Sequence, residues 1–139
     1  MPMKAHENVL VFYKKLPTYN PQKTSGHVRK SAFKRKSLNS DVYNNNTSST
    51  VYDSTDRYPR DVIKFKSDKQ ISNLHPTQKP LSMVEYFIKT YSNEGDLVLD
   101  NVAGSGTTGE ACDNLNRRYI LMEKELKYCE IIKQRCSQM

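Results

Sequence analysis

The residues of this sequence best suited to chemistry lie close together. Asp100 ends the apolar run "DLVLD"; Gly104, Gly106 and Gly109 follow at G-x-G-x-x-G spacing; Glu123 closes a second short apolar run, "RYILM". Three chemistries use a glycine-rich turn between a strand and a helix. A phosphate-cradling loop needs Lys and Ser or Thr directly after its last glycine, but Glu110 and Ala111 stand there, and a carboxylate would repel a triphosphate. A dinucleotide turn matches the three glycines and the acid at the end of the next strand. That turn normally opens its fold, however, and only 30 residues follow Gly109 here. Binding of S-adenosylmethionine requires close backbone approach at the glycines, an acid for the ribose hydroxyls and polar groups for the methionine end, with no phosphate cradle. Asp100, Gly104, Gly106 and Glu123 meet that need, although each acid taken alone could be a helix cap or a solvated strand end.

Charge forms a second pattern. Residues 1–70 carry 14 Lys and Arg against 6 Asp and Glu, whereas residues 71–139 carry 8 against 9. The positive field peaks in "RKSAFKRK", where Arg29, Lys30, Lys34, Arg35 and Lys36 surround Phe33. Such a run can neutralise several phosphates and release their counterions, or it can be a solvated basic loop. Cys112, Cys129 and Cys136 form no C-x-x-C pair and leave one thiol over in any disulfide scheme. A reducing compartment without structural zinc is therefore expected. The apolar run near the N-terminus is too short for a signal peptide and nothing approaches membrane-spanning length, so the expectation is a cytoplasmic protein with no membrane partner and no metal.

Elements must position these residues. With 139 residues, 36% of them hydrophobic, and a mean hydropathy of −0.79, the chain can build one domain around a lean core. "NVLVFY" (Asn8–Tyr13) reads as a buried strand and "DVIKF" (Asp61–Phe65) as another short one. Between them, "SLNSDVYNNNTSST" (Ser37–Thr50) is nearly devoid of core residues and predicts an excursion with little fixed structure. After "HPTQKP" (His75–Pro80), Leu81, Val84, Ile88 and Tyr91 fall at helical spacing, with Met83 and Phe87 beside them and Pro80 in the first turn. Strand "DLVLD", a helix from the glycine turn to about Leu115, strand "RYILM", and a last helix with Leu126, Cys129, Ile132 and Cys136 on one face complete an α-β-α-β-α tail.

Taken together these segments resemble the amino-group DNA methyltransferases, which methylate adenine N6 or cytosine N4, in the circularly permuted class whose cofactor motif lies near the C-terminus. The likeness rests on "HPTQKP" and its helix, then "LVLDNVAGSGTTGEAC", then "NRRYILME", with "HENVLVFYKKLPTYNPQ" and "RYPRDVIKF" similar to segments that bracket the family's recognition region. It implies an α/β fold: a partial Rossmann-like sheet with helices on both faces and a poorly structured recognition insertion. Residues 1–139 would be one partial domain, with 14–60 contacting double-stranded DNA and 75–139 holding S-adenosylmethionine. Thr77, Gln78 and Lys79 would lie against the methionine end of the cofactor. Asp100, Gly104, Ser105, Gly106 and Thr107 would form the turn around it, and Glu123 would bind the ribose. Lys14, Lys15, Arg29, Lys30, Lys34, Arg35 and Lys36 would contact phosphate. His75 reads as a structural cap, and no residue is assigned as catalytic.

Two departures from the family pattern stand out. Its turn begins Asp-Pro-Phe, whereas this chain has Asp100-Asn101-Val102 and so lacks the ring at position 102. Its Asp/Asn/Ser-Pro-Pro-Tyr/Phe segment, which takes the amine and stacks on the flipped base, has no counterpart, because the chain contains no Pro-Pro and "TYNPQ" supplies neither the second proline nor the ring. The expectation is a C-terminal portion of a restriction-modification type methyltransferase, adenine N6 ahead of cytosine N4, inactive alone and marginally folded without a complementary N-terminal portion. The alternatives are a non-catalytic DNA- and cofactor-binding remnant or partner subunit, and a fragment of a nicotinamide-dependent oxidoreductase.

Overall fold

The computed structural model describes residues 6–32, 52–67, 74 and 76–136. His75, Phe33, Lys34, Arg35, Lys36 and the polar stretch 37–50 lie outside the described residues. The chain forms two compact units, one built from Met1–Asn20 with Phe65–Met139 and the other from Pro21–Lys64.

In the second unit, β1 (Lys30–Ala32) pairs antiparallel with β2 (Tyr52–Ser54), placing Lys30 opposite Ser54 and Ser31 opposite Asp53. Thr24 and Arg57 exchange backbone hydrogen bonds of 3.0 and 2.8 Å that extend the pairing. Arg57 also donates to the carbonyls of Ser54, Asp56 and Val28, so one guanidinium gathers three carbonyls of the ribbon's base.

The first unit is α/β. Helix α1 spans Leu81–Tyr91. Pro80 stands immediately before it, where its missing N–H costs nothing. The helix ends at Ser92, whose extended backbone still donates to the Ile88 carbonyl and whose hydroxyl donates to the same oxygen at 2.6 Å. Strand β3 (Leu97–Asp100) runs parallel to β4 (Arg118–Leu121), joined through helix α2 (Thr107–Asn114) in a βαβ crossover. Helix α3 (Leu126–Arg135) follows.

Period-two alternation assigns the two faces of this pair. Val98 and Tyr119, paired across the ladder, pack on Ile88, Ala111 and Cys112 together with Leu81, Val84 and Leu115. Tyr119 and Leu121 continue into a second cluster with Ala103, Ile132 and Cys136. All three helices therefore bury their apolar residues on the same sheet face. The opposite face shows Leu97, Leu99 and Ile120 to solvent, with Met122 exposed just beyond β4, and no cover for it lies among the described residues.

Four expectations are corrected. Among the described residues the helices cover one face of the β3–β4 pair and not both, because Val98, Tyr119 and Leu121 share the face on which α1, α2 and α3 pack. Asn8–Tyr13 is not a buried strand: it has no ladder partner among the described residues, and Val9, Leu10, Val11, Phe12 and Tyr13 are all exposed. Asp61–Phe65 is likewise irregular, with Val62 exposed, although the Phe65 ring meets Tyr86 edge-on at 5.7 Å. β-Propensity needs a neighbouring strand to act on, and among the described residues β3 and β4 pair only with each other. Leu126 opens α3 exposed rather than packed, so the buried stripe of that helix is Ile132 with Cys136 just past its end.

Candidate functional site

The turn between β3 and α2 takes its shape from its glycines. Gly104 and Gly106 have φ of 55° and 80°, a region that costs a Cβ-bearing residue strain. At Gly106 a Cβ would also stand 3.0 Å from Ile132 Cγ1. Gly109 serves packing instead. A Cβ there would meet Cys136 Sγ at 2.6 Å and Leu121 Cδ1 at 2.8 Å, so the missing side chain lets α2 settle against β4 and α3.

Both acids are tied to the turn. Asp100 Oδ1 accepts the Val102 N–H at 3.0 Å and Oδ2 accepts the Thr108 hydroxyl at 2.6 Å, bridging the strand end to the first turn of α2. Glu123 Oε2 accepts the Gly104 N–H at 2.8 Å, while Oε1 accepts the Lys124 and Glu125 N–H groups, each at 2.9 Å. A carboxylate has about four acceptor positions, so Asp100 retains capacity toward a ligand.

Beside the turn lies a cavity of ≈ 120 Å³. One wall is Thr77, Gln78 and Lys79; Val84 comes from α1 and Asp100 from β3; the turn contributes Val102, Ala103, Gly104, Ser105, Thr107 and Thr108. The cavity thus gathers seven of the nine residues expected around a cofactor, leaving out Gly106 and Glu123. Gln78 and Ser105 are buried, whereas Thr77 and Lys79 are exposed and Lys79 pairs with Glu7 at 2.5 Å.

Gln78 is the polar centre of this wall. Its Oε1 receives the Leu74 N–H at 3.3 Å and the Ser105 hydroxyl at 3.4 Å, while its Nε2 is buried with no hydrogen-bond partner among the described residues. A buried amide donor without an acceptor is costly unless something arrives to accept it.

Sequence reasoning missed Arg135. From the end of α3 its guanidinium donates to Glu110 Oε2, to the Ser105 carbonyl at 3.1 Å, to the Ser105 hydroxyl at 3.2 Å and to the Thr107 hydroxyl at 3.2 Å. Glu110, which displaces the lysine of a phosphate loop, is therefore the partner of a largely buried arginine. No local motif links residues 25 to 30 positions apart; only an unmatched cation late in an amphipathic helix could have drawn attention.

The thiols are quiet. Burial pushes Cys112 up to about 11 and raises Cys136 as well. Among the described residues no group of three or more His, Cys, Asp or Glu could hold a metal, and no helix is long and apolar enough to cross a membrane.

Of the cations expected to meet DNA, Lys14 and Lys15 are exposed in the first unit and Arg29 and Lys30 in the second. Arg29 is already engaged, donating through Nε and Nη2 to both oxygens of Asp53 at 2.7 and 2.5 Å. The pair holds the Asp53 carboxyl below its ordinary range.

Comparison with known proteins agrees with these observations. The sequence profile of a family described as DNA methylase matches residues 2–134. The type II methyltransferase M2.MboI of Moraxella bovis is 48% identical over 83 residues, covering 58% of this chain and 30% of that protein. M.BglII of Bacillus subtilis is 29% identical over 137 residues, covering 91% of this chain and 34% of its own length. The chain thus spans about a third of these curated relatives. Among solved structures, the M1.HpyAVI–SAM complex matches 51% of this chain and 35% of its own at 44% identity and a TM-score of 0.48.

Proposed function

The chain belongs to the DNA methylase family, the amino-group DNA methyltransferases, and on that premise we propose that it is the methyl-donor-binding part of an S-adenosylmethionine-dependent enzyme acting on a base amino group in duplex DNA. The observation that carries this reading is the cavity that joins Gln78, Asp100 and the glycine turn. Its donor set fits the group: a buried amide N–H without an acceptor for a carboxylate, a bare glycine backbone for close approach, and acids near a turn that holds no phosphate-binding lysine.

At ≈ 120 Å³ the cavity is smaller than the roughly 300–1,000 Å³ of a site enclosing a whole drug-sized ligand. It would suit the amino-acid end of the donor, with Glu123 as the residue that would hold the ribose. When bound, S-adenosylmethionine supplies an electrophilic methyl group. Asp100 and Glu123 would fix the turn against which it rests, Gln78 would orient its carboxylate, and exposed Lys14, Lys15 and Lys30 would contact DNA phosphates. The flipped base and its amine are held by a segment absent from these 139 residues, which contain no Pro-Pro. We assign adenine N6 as the acceptor ahead of cytosine N4.

A second reading, a chain that binds but does not transfer, is favoured by the open sheet face at Leu97, Leu99 and Ile120 and by the exposed run from Val9 to Tyr13. Both call for a complementary methyltransferase portion to cover them. Transfer of labelled methyl to duplex DNA by the purified chain, followed by nucleoside analysis, tests the assignment. Turnover without a partner removes the binding-only reading, and N4-methylcytosine as product removes the adenine assignment. Calorimetry with S-adenosylhomocysteine and NAD tests the site itself; binding of NAD in place of S-adenosylhomocysteine would overturn the donor.

A further inference from the structure

We propose that Arg135 is a positioning residue that acts through Ser105 to aim the Gln78 amide at the carboxylate of the bound methyl donor. The inference rests on the donor-binding reading above and extends it to a residue outside the turn and outside the cavity wall.

The orientation of Gln78 is fixed from two sides. A backbone N–H can only donate, so the amide atom that meets the Leu74 N–H at 3.3 Å must be the oxygen. A hydroxyl, by contrast, can turn either way. At Ser105 that freedom is narrowed by Arg135, because a guanidinium has donors only and its Nη1, 3.2 Å from the Ser105 hydroxyl oxygen, takes one of the two acceptor positions there. Ser105 accepts from Arg135 and, because the amide oxygen facing it cannot donate, gives its own hydrogen to Gln78 Oε1 at 3.4 Å. With both donors on Oε1, Nε2 is left as a buried donor, and Gln78 and Ser105 both line the cavity. A carboxylate is the acceptor that gains most from a buried, preoriented N–H.

Arg135 is itself held. Glu110 pairs with its Nε, and the Ser105 carbonyl and Thr107 hydroxyl share Nη1 at 3.1 and 3.2 Å. It is largely buried, and a guanidinium has no acceptor with which to reverse the direction of the relay. Without Arg135, both acceptor positions of the Ser105 hydroxyl are open to Gln78 Nε2, which would favour a turned amide that faces its oxygen toward the ligand's carboxylate.

The test compares two ligands on the full chain by calorimetry: S-adenosylhomocysteine and its decarboxylated analogue. Arg135→Gln should weaken S-adenosylhomocysteine about tenfold while changing the decarboxylated analogue less than about twofold. Gln78→Ala should do the same, and the double variant should lose no more than Gln78→Ala alone. Ser105→Ala, which leaves Arg135 its carbonyl and Thr107 contacts, should reproduce the selective loss, so the outcome does not hang on one variant folding well. Equal loss for both ligands, additive losses in the double variant, or no loss would each overturn the relay while leaving the donor site standing. A wild-type chain that binds neither ligand would instead overturn the donor-binding reading, and the relay with it.

Discussion

The Glu123 carboxylate accepts the Gly104 N–H at 2.8 Å, tying the residue just past β4 to the glycine turn that leaves β3. The bond joins the tips of two parallel strands. Its other oxygen takes the N–H groups that lead into α3, so one side chain sets both the turn and the start of the next helix. Glu123→Ala should lose about 1.5–3 kcal/mol, the usual range for a hydrogen bond to a charged group. Glu123→Gln, which keeps one acceptor oxygen, should lose less. Denaturant unfolding of the two variants checks the order.

Gly109 predicts a packing effect separable from the turn. A methyl group there would sit 2.6 Å from Cys136 Sγ and 2.8 Å from Leu121 Cδ1. Gly109→Ala should therefore destabilise by roughly 1–3 kcal/mol through overpacking, despite the better helix propensity of alanine. Adding Cys136→Ala should recover part of that loss in the same unfolding experiment, because it removes the nearer of the two obstructing atoms.

Cys112 predicts an alkaline limit. Its thiol is fully buried and raised to about 11 from an ordinary 9.0. The unfolded chain releases this proton first, so the contribution to stability is complete below pH 9 and falls away as pH rises toward 11. The loss at the upper end is roughly 2 kcal/mol. Cys112→Ser should flatten the decline in melting temperature across that window. At pH 8 a thiol reagent should modify Cys129 before Cys112 in the native chain.

Arg29 and Asp53 predict a charge that can be released. Their two hydrogen bonds occupy the fork that would otherwise clasp a phosphate. Asp53→Asn should leave Arg29 available, strengthening binding to duplex DNA at low salt and steepening the salt dependence by about one counterion. Fluorescence anisotropy across a salt series measures both. An unchanged slope would show that Arg29 does not reach the duplex.

Much of the site was legible in residue order because its requirements are local. A positive φ at Gly104 and Gly106 demands glycine, alternation along Leu97–Asp100 and Arg118–Leu121 marks a half-covered strand, and Pro80 marks the start of α1. The same reasoning failed at Asn8–Tyr13, where apolar β-formers meet no neighbouring strand among the described residues and stay exposed. Propensity can propose a strand, but the ladder that stabilises it needs a partner.

By itself, then, the sequence determined the βαβ unit, the glycine turn, the acids at its strand ends and the family to which they belong, since each depends on neighbours a few positions apart. Only the tertiary structure decided how those groups are held. Arg135 meets Ser105 and Thr107 across nearly 30 positions, Glu123 meets Gly104, and the Gln78 amide nitrogen is buried without a partner among the described residues. The physical reason is that backbone torsion and side-chain periodicity are written along the chain. A hydrogen bond between distant groups exists only once helices and strands have packed and placed a donor beside its acceptor.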